Sequence, residues 1–241
     1  MSEHTLSSET RSLLETVSVA TLATALYKRG LRNQVIQDVR PVKGKGRNMV
    51  GPAFTLRYMP AREDRNQLVE FKNPRHPQRL AIETCPEGYV MVMDSRKSAN
   101  AASAGDILIT RLMVRGAAGV VTDGGFRDAM NIGELEMPAY HSRPASPTNL
   151  TLNEAIEING PIGCGDAPVF PGDVLVGDDD SVIVIPAHLA EEVALEAVEM
   201  TAYENFVLSK VKSGATIIGL YPATKEENLE EFAKWRAENG V

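Results

Sequence analysis

Apolar residues recur along the chain at two spacings, one helical and one strand-like, and the exchange between them marks out the elements. Leu13, Leu14 and Val17 line a first short helix, and Ser18 is placed to cap a second that runs to Gly30, so residues 5–30 read as a helical arm. Ala53–Tyr58 and the continuous run Tyr89–Asp94 read as strands, the second buried. From Gly105, residues Ile107, Leu108, Leu112 and Met113 recur at helical spacing behind Ser103, the expected N-cap. Gly116 and Gly119 close that helix, and Val120-Val121 is a short apolar strand. Asp123-Gly124-Gly125 reads as a turn in which glycine supplies angles other residues avoid. AMNIGELEM is a short helix and Pro138–His141 another strand. The unit from Gly105 to His141 is thus α-β-α-β, the order of a parallel sheet core.

The period then changes. Ile162–Val169 and Asp173–Ile185 read as hairpin strands, with turns at Pro171-Gly172 and Asp178–Asp180. Residues 187–213 make a long helix with Leu189, Val193, Leu195, Val198, Phe206 and Val207 on its apolar side. Glu192, Glu196, Glu199 and Glu204 lie on the polar side, most of them solvated. Thr224-x-x-Glu227 reads as a capping box for a tail helix carrying Leu229, Phe232 and Trp235, which docks on its own or a neighbouring subunit.

Composition narrows the class. The 241 residues suit a single domain with a core of ordinary size, and 43% hydrophobic with 24% charged residues is ordinary for a globular protein. A net charge of -7 argues against nucleic acid as the main ligand. No apolar run approaches membrane-spanning length, the start MSEHTLSSETRS lacks the pattern of a signal peptide, and Cys85 and Cys164 lack CxxC spacing. These features predict two reduced thiols in a cytoplasmic protein. The basic residues gather instead in the stretch 60–80, PAREDRNQLVEFKNPRHPQRL. It reads either as a solvated connector or as a lid that helps select an anionic or hydroxylated substrate. PVKGKGRNMVG ahead of it has glycines but no Gly-Lys-Ser/Thr and opens no helix, so it reads as a turn rather than a phosphate loop.

The candidate chemistry lies where the Val120-Val121 strand delivers Arg127 and Asp128 to the carboxyl edge of a sheet. Free amides of Ile107 and Leu108 at the start of the preceding helix favour an anion. With Asp106, these groups would hold a small carboxylate beside a divalent metal; the plainer reading is a surface Arg-Asp ion pair and an acidic first turn. There is no G-x-S-x-G elbow, no H-x-x-x-H, and no cysteine beside a histidine. The acidic run GDDD lacks the spaced ligands of a calcium loop and reads as a turn. His141 ends a strand near the proposed site and is assigned a structural role.

Asp106, Arg127 and Asp128 fill the pattern Asp-x20-Arg-Asp around RGAAGVVTDGGFRD. The pattern resembles the RraA-like superfamily, which holds divalent-metal aldolases for 4-hydroxy-4-methyl-2-oxoglutarate and 4-carboxy-4-hydroxy-2-oxoadipate and the "regulator of ribonuclease activity A" proteins. SVATLATALYKRG, GPAFTLRY and VFPGDVLVGDDDSVIVIP extend the likeness over about residues 17–219. The resemblance implies an α/β fold, a layered α/β/β sandwich with a swivelling-domain-like core and flanking terminal helices. It implies cleavage of a 4-hydroxy-2-oxo acid, and decarboxylation of oxaloacetate, to pyruvate with Mg²⁺ or Mn²⁺. Asp128 would then be the metal ligand, with Asp106 and Glu204 from the neighbouring subunit holding its waters and Glu199 the competitor for that role. Gly105, Ile107, Leu108 and Arg127 would bind substrate, in a homotrimer or homohexamer. One position departs: the aldolases usually carry an acidic residue where Asn131 stands. The well-known regulator has Gln where this chain keeps Asp128. A non-catalytic regulator binding a ribonuclease or another protein, and an aldolase for a 2-keto-3-deoxy sugar acid, remain as alternatives.

Overall fold

The computed structural model describes residues 6–240; the opening residue of the expected helical arm and the segment before it lie outside them. The N-terminal elements are α1 (Ser8–Leu14), α2 (Val19–Lys28), β1 (Val35–Ile36), β2 (Arg40–Pro41) and β3 (Met49–Pro60). The middle holds α3 (Pro77–Thr84), β4 (Val90–Asp94), β5 (Ala102–Ala104), α4 (Asp106–Val114), β6 (Gly119–Thr122), β7 (Gly125–Phe126), α5 (Ala129–Glu134), β8 (Ala139–His141) and β9 (Arg143–Pro144). The rest comprises β10 (Asn153–Ile158), β11 (Ile162–Cys164), β12 (Ala167–Val169), β13 (Val174–Gly177), β14 (Val182–Ile185), α6 (Ala190–Lys212) and α7 (Glu226–Asn239). None of the described helices is long and apolar enough to cross a membrane.

A nine-stranded sheet runs β1-β14-β13-β3-β4-β6-β8-β2, with β10 also on β3. Its centre, β3-β4-β6-β8, is parallel as the α-β-α-β order requires, and β13-β14 folds back antiparallel on β3. Side-chain alternation then sorts the layers. In β4, Met91 and Met93 face one core with Ile82 of α3, Leu112 of α4 and Ile132 of α5. Val90 and Val92 face a second core with Cys164, Val169 and Leu175 from the late hairpins. In β14, Val182 and Val184 join that second core, whereas Ile183 and Ile185 face a third with Leu22 and Leu26 of α2 and Val193 of α6. The result is the layered mixed α/β architecture that the resemblance implied.

Several elements differ from the sequence reading. β3 begins at Met49, inside the glycine-containing stretch read as a turn, because it runs beside β13 before it reaches β4. The 60–80 stretch is not a plain connector: a 3-10 turn spans Leu68–Lys72 and α3 starts at Pro77, where proline's missing N–H costs nothing. Ser18 caps α2 as expected, accepting from Thr21 N at 3.1 Å. The Thr224 capping box does not form, since α7 starts one residue past Lys225 without a side-chain cap. Leu195 of α6 is half exposed rather than on the packed face. Of the α6 glutamates, Glu192 and Glu199 are exposed as expected and also make surface ion pairs: Glu192 and the less exposed Glu196 pair with Arg29, the C-cap of α2, and Glu199 with Arg236 of α7. Phe232 and Trp235 close over Tyr203 and Phe206, so the tail docks on its own chain.

Candidate functional site

Three of the four central strands are each followed by a second, shorter one. After β4, β6 and β8 the chain adds β5, β7 and β9, which pair in that order as a small parallel sheet, β5-β7-β9, beyond the carboxyl edge of the main one. The register Ala104↔Phe126 sets the next residues, Gly105 and Arg127, side by side, and Arg127 N donates to Ala104 O at 3.1 Å. Arg127 and Asp128 therefore stand on an extension of the sheet edge rather than directly on it.

Glycine serves here for proximity rather than for unusual angles. Gly124 and Gly125 lack positive φ, contrary to the turn expected from their sequence. A Cβ on Gly124 would lie 2.6 Å from Ser95 Cβ, and one on Gly125 2.6 Å from Ala145 Cβ. A Cβ on Gly105 would lie 2.9 Å from Arg127 Cγ and 3.3 Å from Asp128 Oδ2, so only glycine lets the start of α4 approach those side chains. The left-handed residue is Asp128 itself, at φ 58° and ψ 36° as it opens α5, a conformation aspartate tolerates better than most residues.

Gly105, Asp106, Ile107, Leu108, Arg127 and Asp128 all line one cavity of about 410 Å³. Arg127 Nε lies 3.6 Å from Asp128 Oδ2, with both side chains nearly half exposed, so a surface Arg-Asp pair is indeed present. Asn131 Nδ2 donates to Asp106 Oδ2 at 2.9 Å and ties α5 to the first turn of α4. The open amides are not quite those expected. Gly105, not Ser103, is the N-cap, and Leu108 N already donates to Gly105 O at 3.1 Å. This leaves the amides of Asp106 and Ile107 without an acceptor among the described residues. Ser103 instead sits in a buried hydroxyl cluster, 2.7 Å from Ser95 Oγ and 2.6 Å from Thr122 Oγ1. Beside it, buried Asp123 accepts from the amides of Ser95, Lys97 and Gly165. Burial raises the Asp123 pKa against those bonds, and the carboxylate ties the loop after β4 to the β11–β12 turn.

Glu204 does not line this cavity. It accepts from Thr21 Oγ1 at 3.0 Å and from the Tyr221 hydroxyl at 3.1 Å. Much of the remaining lining comes from a segment the sequence left undecided, Leu68, Phe71, Gln78 and Arg79, and from Asn149. The Pro77 N1 signal could have revealed the helix, but nothing in the spacing announced Asn149.

His141 is buried, stacks on Phe126 at 5.7 Å between centroids, and has no partner for Nδ1. Burial lowers its pKa from 6.5 to about 4. The folded state thus refuses a proton that the unfolded chain takes up, so stability is full above about pH 6.5 and falls as the pH drops towards 4. The loss is up to roughly 3 kcal/mol. His141→Phe should flatten the fall in Tm between pH 7 and 5; equal slopes in both proteins would remove this role.

A glycine-cradled Arg-Asp pair thus stands beside a helix N-terminus at the carboxyl side of a parallel α/β sheet, an arrangement whose donors suit a small anion. The chain belongs to the RraA-like family (Aldolase/RraA), which it matches over residues 19–184. A protein of Halalkalibacterium halodurans named as a candidate 4-hydroxy-4-methyl-2-oxoglutarate aldolase is 35% identical over 113 residues, 46% of this chain and 52% of that one. This chain spans about half the length of the curated relatives it matches. Among solved structures, an unusual member of the RNase ES inhibitor RraA protein family from Streptomyces coelicolor has TM-score 0.74 and 28% identity, covering 83% of this chain and 96% of that one. An uncharacterised Pseudomonas syringae protein has TM-score 0.75 at 22% identity, covering 89% and 98%, and shares the fold.

Proposed function

We propose that the protein is a divalent-metal-dependent carbon-carbon lyase, acting as one domain, that cleaves a 4-hydroxy-2-oxo acid to release pyruvate. One observation carries the reading: Gly105 brings the open amides of α4 against Arg127 and Asp128 within the cavity that also holds Asp106. The family membership and the named aldolase relatives support it.

The donor set fits Mg²⁺ or Mn²⁺. Among the described residues no three His, Cys, Asp or Glu side chains converge as a full metal cage. Two carboxylates, Asp128 and Asp106, face the cavity, and hard cations of this kind commonly take one or two carboxylates and keep water on their other positions. Asp128 would hold the metal directly and Asp106 its water shell, with Glu204 from a neighbouring subunit of a trimer or hexamer completing that shell. When bound, the metal acts as a Lewis acid on the 2-oxo group.

The chain's own groups do the rest. The amides of Asp106 and Ile107 receive the substrate carboxylate at the positive end of α4. The Arg127 guanidinium donates to the oxygen that gains negative charge as the carbon-carbon bond breaks, where a positioned donor lowers the barrier. Asn131 fixes Asp106 through its 2.9 Å bond. Loss of CO₂ from oxaloacetate leaves the same electron pair and needs the same groups. The test is pyruvate formation from a panel of 4-hydroxy-2-oxo acids with and without Mg²⁺; no release from any of them would end this reading.

Asn131→Asp gives a separate check. It replaces a donor with a like charge against Asp106, so Tm should fall without metal and rise more steeply than in the wild type when Mg²⁺ is added. An unchanged response to Mg²⁺ would take Asp106 out of the metal's surroundings. A second reading, a regulator that binds another protein, is favoured by the name of the Streptomyces neighbour. It predicts association with a basic partner that is indifferent to Asp128→Asn, and no turnover.

A further inference from the structure

The lining of the cavity also carries polar groups that the structure leaves unused. Arg79 of α3 lies over the Phe71 ring, its Cζ 4.2 Å from the centroid, so the ring covers one face of the guanidinium while its N–H groups project from the edge. Its Nη1 is buried with no partner. No carboxylate lies within ion-pair distance of Arg79 among the described residues; the surface pairs go to other arginines and lysines. A half-buried cation without a counter-charge is costly, and burial lowers its pKa. Asn149, in the 3-10 turn Asn149–Thr151 and on the same cavity, is only 2% exposed. Neither of its amide atoms completes a hydrogen bond. It borders Tyr58, whose hydroxyl donates to Ser103 O at 2.9 Å and faces the Asn149 amide with its lone pairs. Gln78 Nε2 likewise donates one of its N–H groups to Ser103 O, at 2.5 Å. Arg79 Nη1 and the Asn149 amide are therefore the buried polar atoms of this lining without a well-formed hydrogen bond, and both residues line the cavity that holds Arg127 and Asp128.

We infer that Arg79 and Asn149 form a second anion subsite that seats the distal carboxylate of a dicarboxylic 2-oxo acid. A carboxylate supplies the missing counter-charge to Arg79 and accepts from Asn149 Nδ2, pairing the donors that folding left open. A hydroxylated, uncharged tail would leave the arginine uncompensated, so the subsite selects a diacid over a sugar acid. The identity of the reaction rests on the lyase reading, whereas the subsite itself is tested by binding alone.

The test compares two 2-oxo acids that lack a 4-hydroxyl and so do not undergo retro-aldol cleavage. 2-Oxoglutarate carries the second carboxylate; 2-oxopentanoate ends in a methyl group at the same position. Calorimetric titration of the full chain in Mg²⁺ should show 2-oxoglutarate binding at least about tenfold more tightly. Arg79→Gln should erase that difference while leaving 2-oxopentanoate within about twofold of the wild type, and Arg79→Lys should restore part of it. Asn149→Leu, which keeps the side chain's size, should weaken 2-oxoglutarate alone. Equal affinity of the wild type for both acids, binding of neither, or a parallel loss for both in Arg79→Gln would overturn the assignment. If no 4-hydroxy-2-oxo acid is cleaved but the two affinities still differ as stated, the lyase reading fails and the subsite stands.

Discussion

Asp128→Asn is expected to abolish metal-dependent pyruvate release, lowering kcat/KM by at least about a hundredfold to a thousandfold. The substitution isolates charge from fold. Asp128 opens α5 in a left-handed conformation, at φ 58°, and asparagine is among the few residues that adopt it readily. Asp128→Ala would remove the same oxygen but add strain of about 1–2 kcal/mol at that position. Its loss of activity would therefore mix two causes. With Asp128→Asn, Tm should stay within a few degrees of the wild type while turnover disappears. Retention of full activity, or turnover indifferent to EDTA in the wild type, would contradict the proposed chemistry.

Arg127→Lys is expected to cost tenfold or more in kcat/KM with little change in metal affinity. Lysine keeps the charge but has no planar fork. The geometry makes the fork matter. Gly105 is cleared of a side chain just where the Arg127 stem passes, with a notional Cβ only 2.9 Å from Arg127 Cγ, so the guanidinium is steered along one course into the cavity. A charge-assisted hydrogen bond to the reacting oxygen is worth about 1.5–3 kcal/mol, and its removal slows the reaction tenfold or more. A drop confined to KM would move Arg127 from the reacting oxygen to ground-state binding.

The parts of the fold that were legible are those with long, regular patterns. The β4 run Val90–Asp94, the Ser18 cap of α2 and the β13–β14 pair carry their period and punctuation in the sequence. The strands that build the site do not. β5, β7 and β9 are two or three residues long, too short for any period to register, and they are defined by pairing with one another. β10 was missed because its identity lies in pairing with β3 across a bulge near Glu157. Asp106, Arg127 and Asp128 were readable as a motif, and the structure brings them to one cavity. The reason glycine flanks them was misread, since crowding by Ser95 and Ala145, rather than backbone angle, excludes a side chain at Gly124 and Gly125. Arg79 was visible only as one of several basic residues in the 60–80 stretch. Its distinction comes from a buried Nη1 that has no hydrogen-bond partner among the described residues, a property of packing and not of sequence.

Titration of the protein with Mn²⁺, followed by electron paramagnetic resonance with and without pyruvate, tests the proposed site most directly. The account predicts one saturable site in the wild type, a change in its spectrum when pyruvate is added, and loss of both in Asp128→Asn. Equal Mn²⁺ binding by the two proteins, with a spectrum that ignores pyruvate, would contradict it.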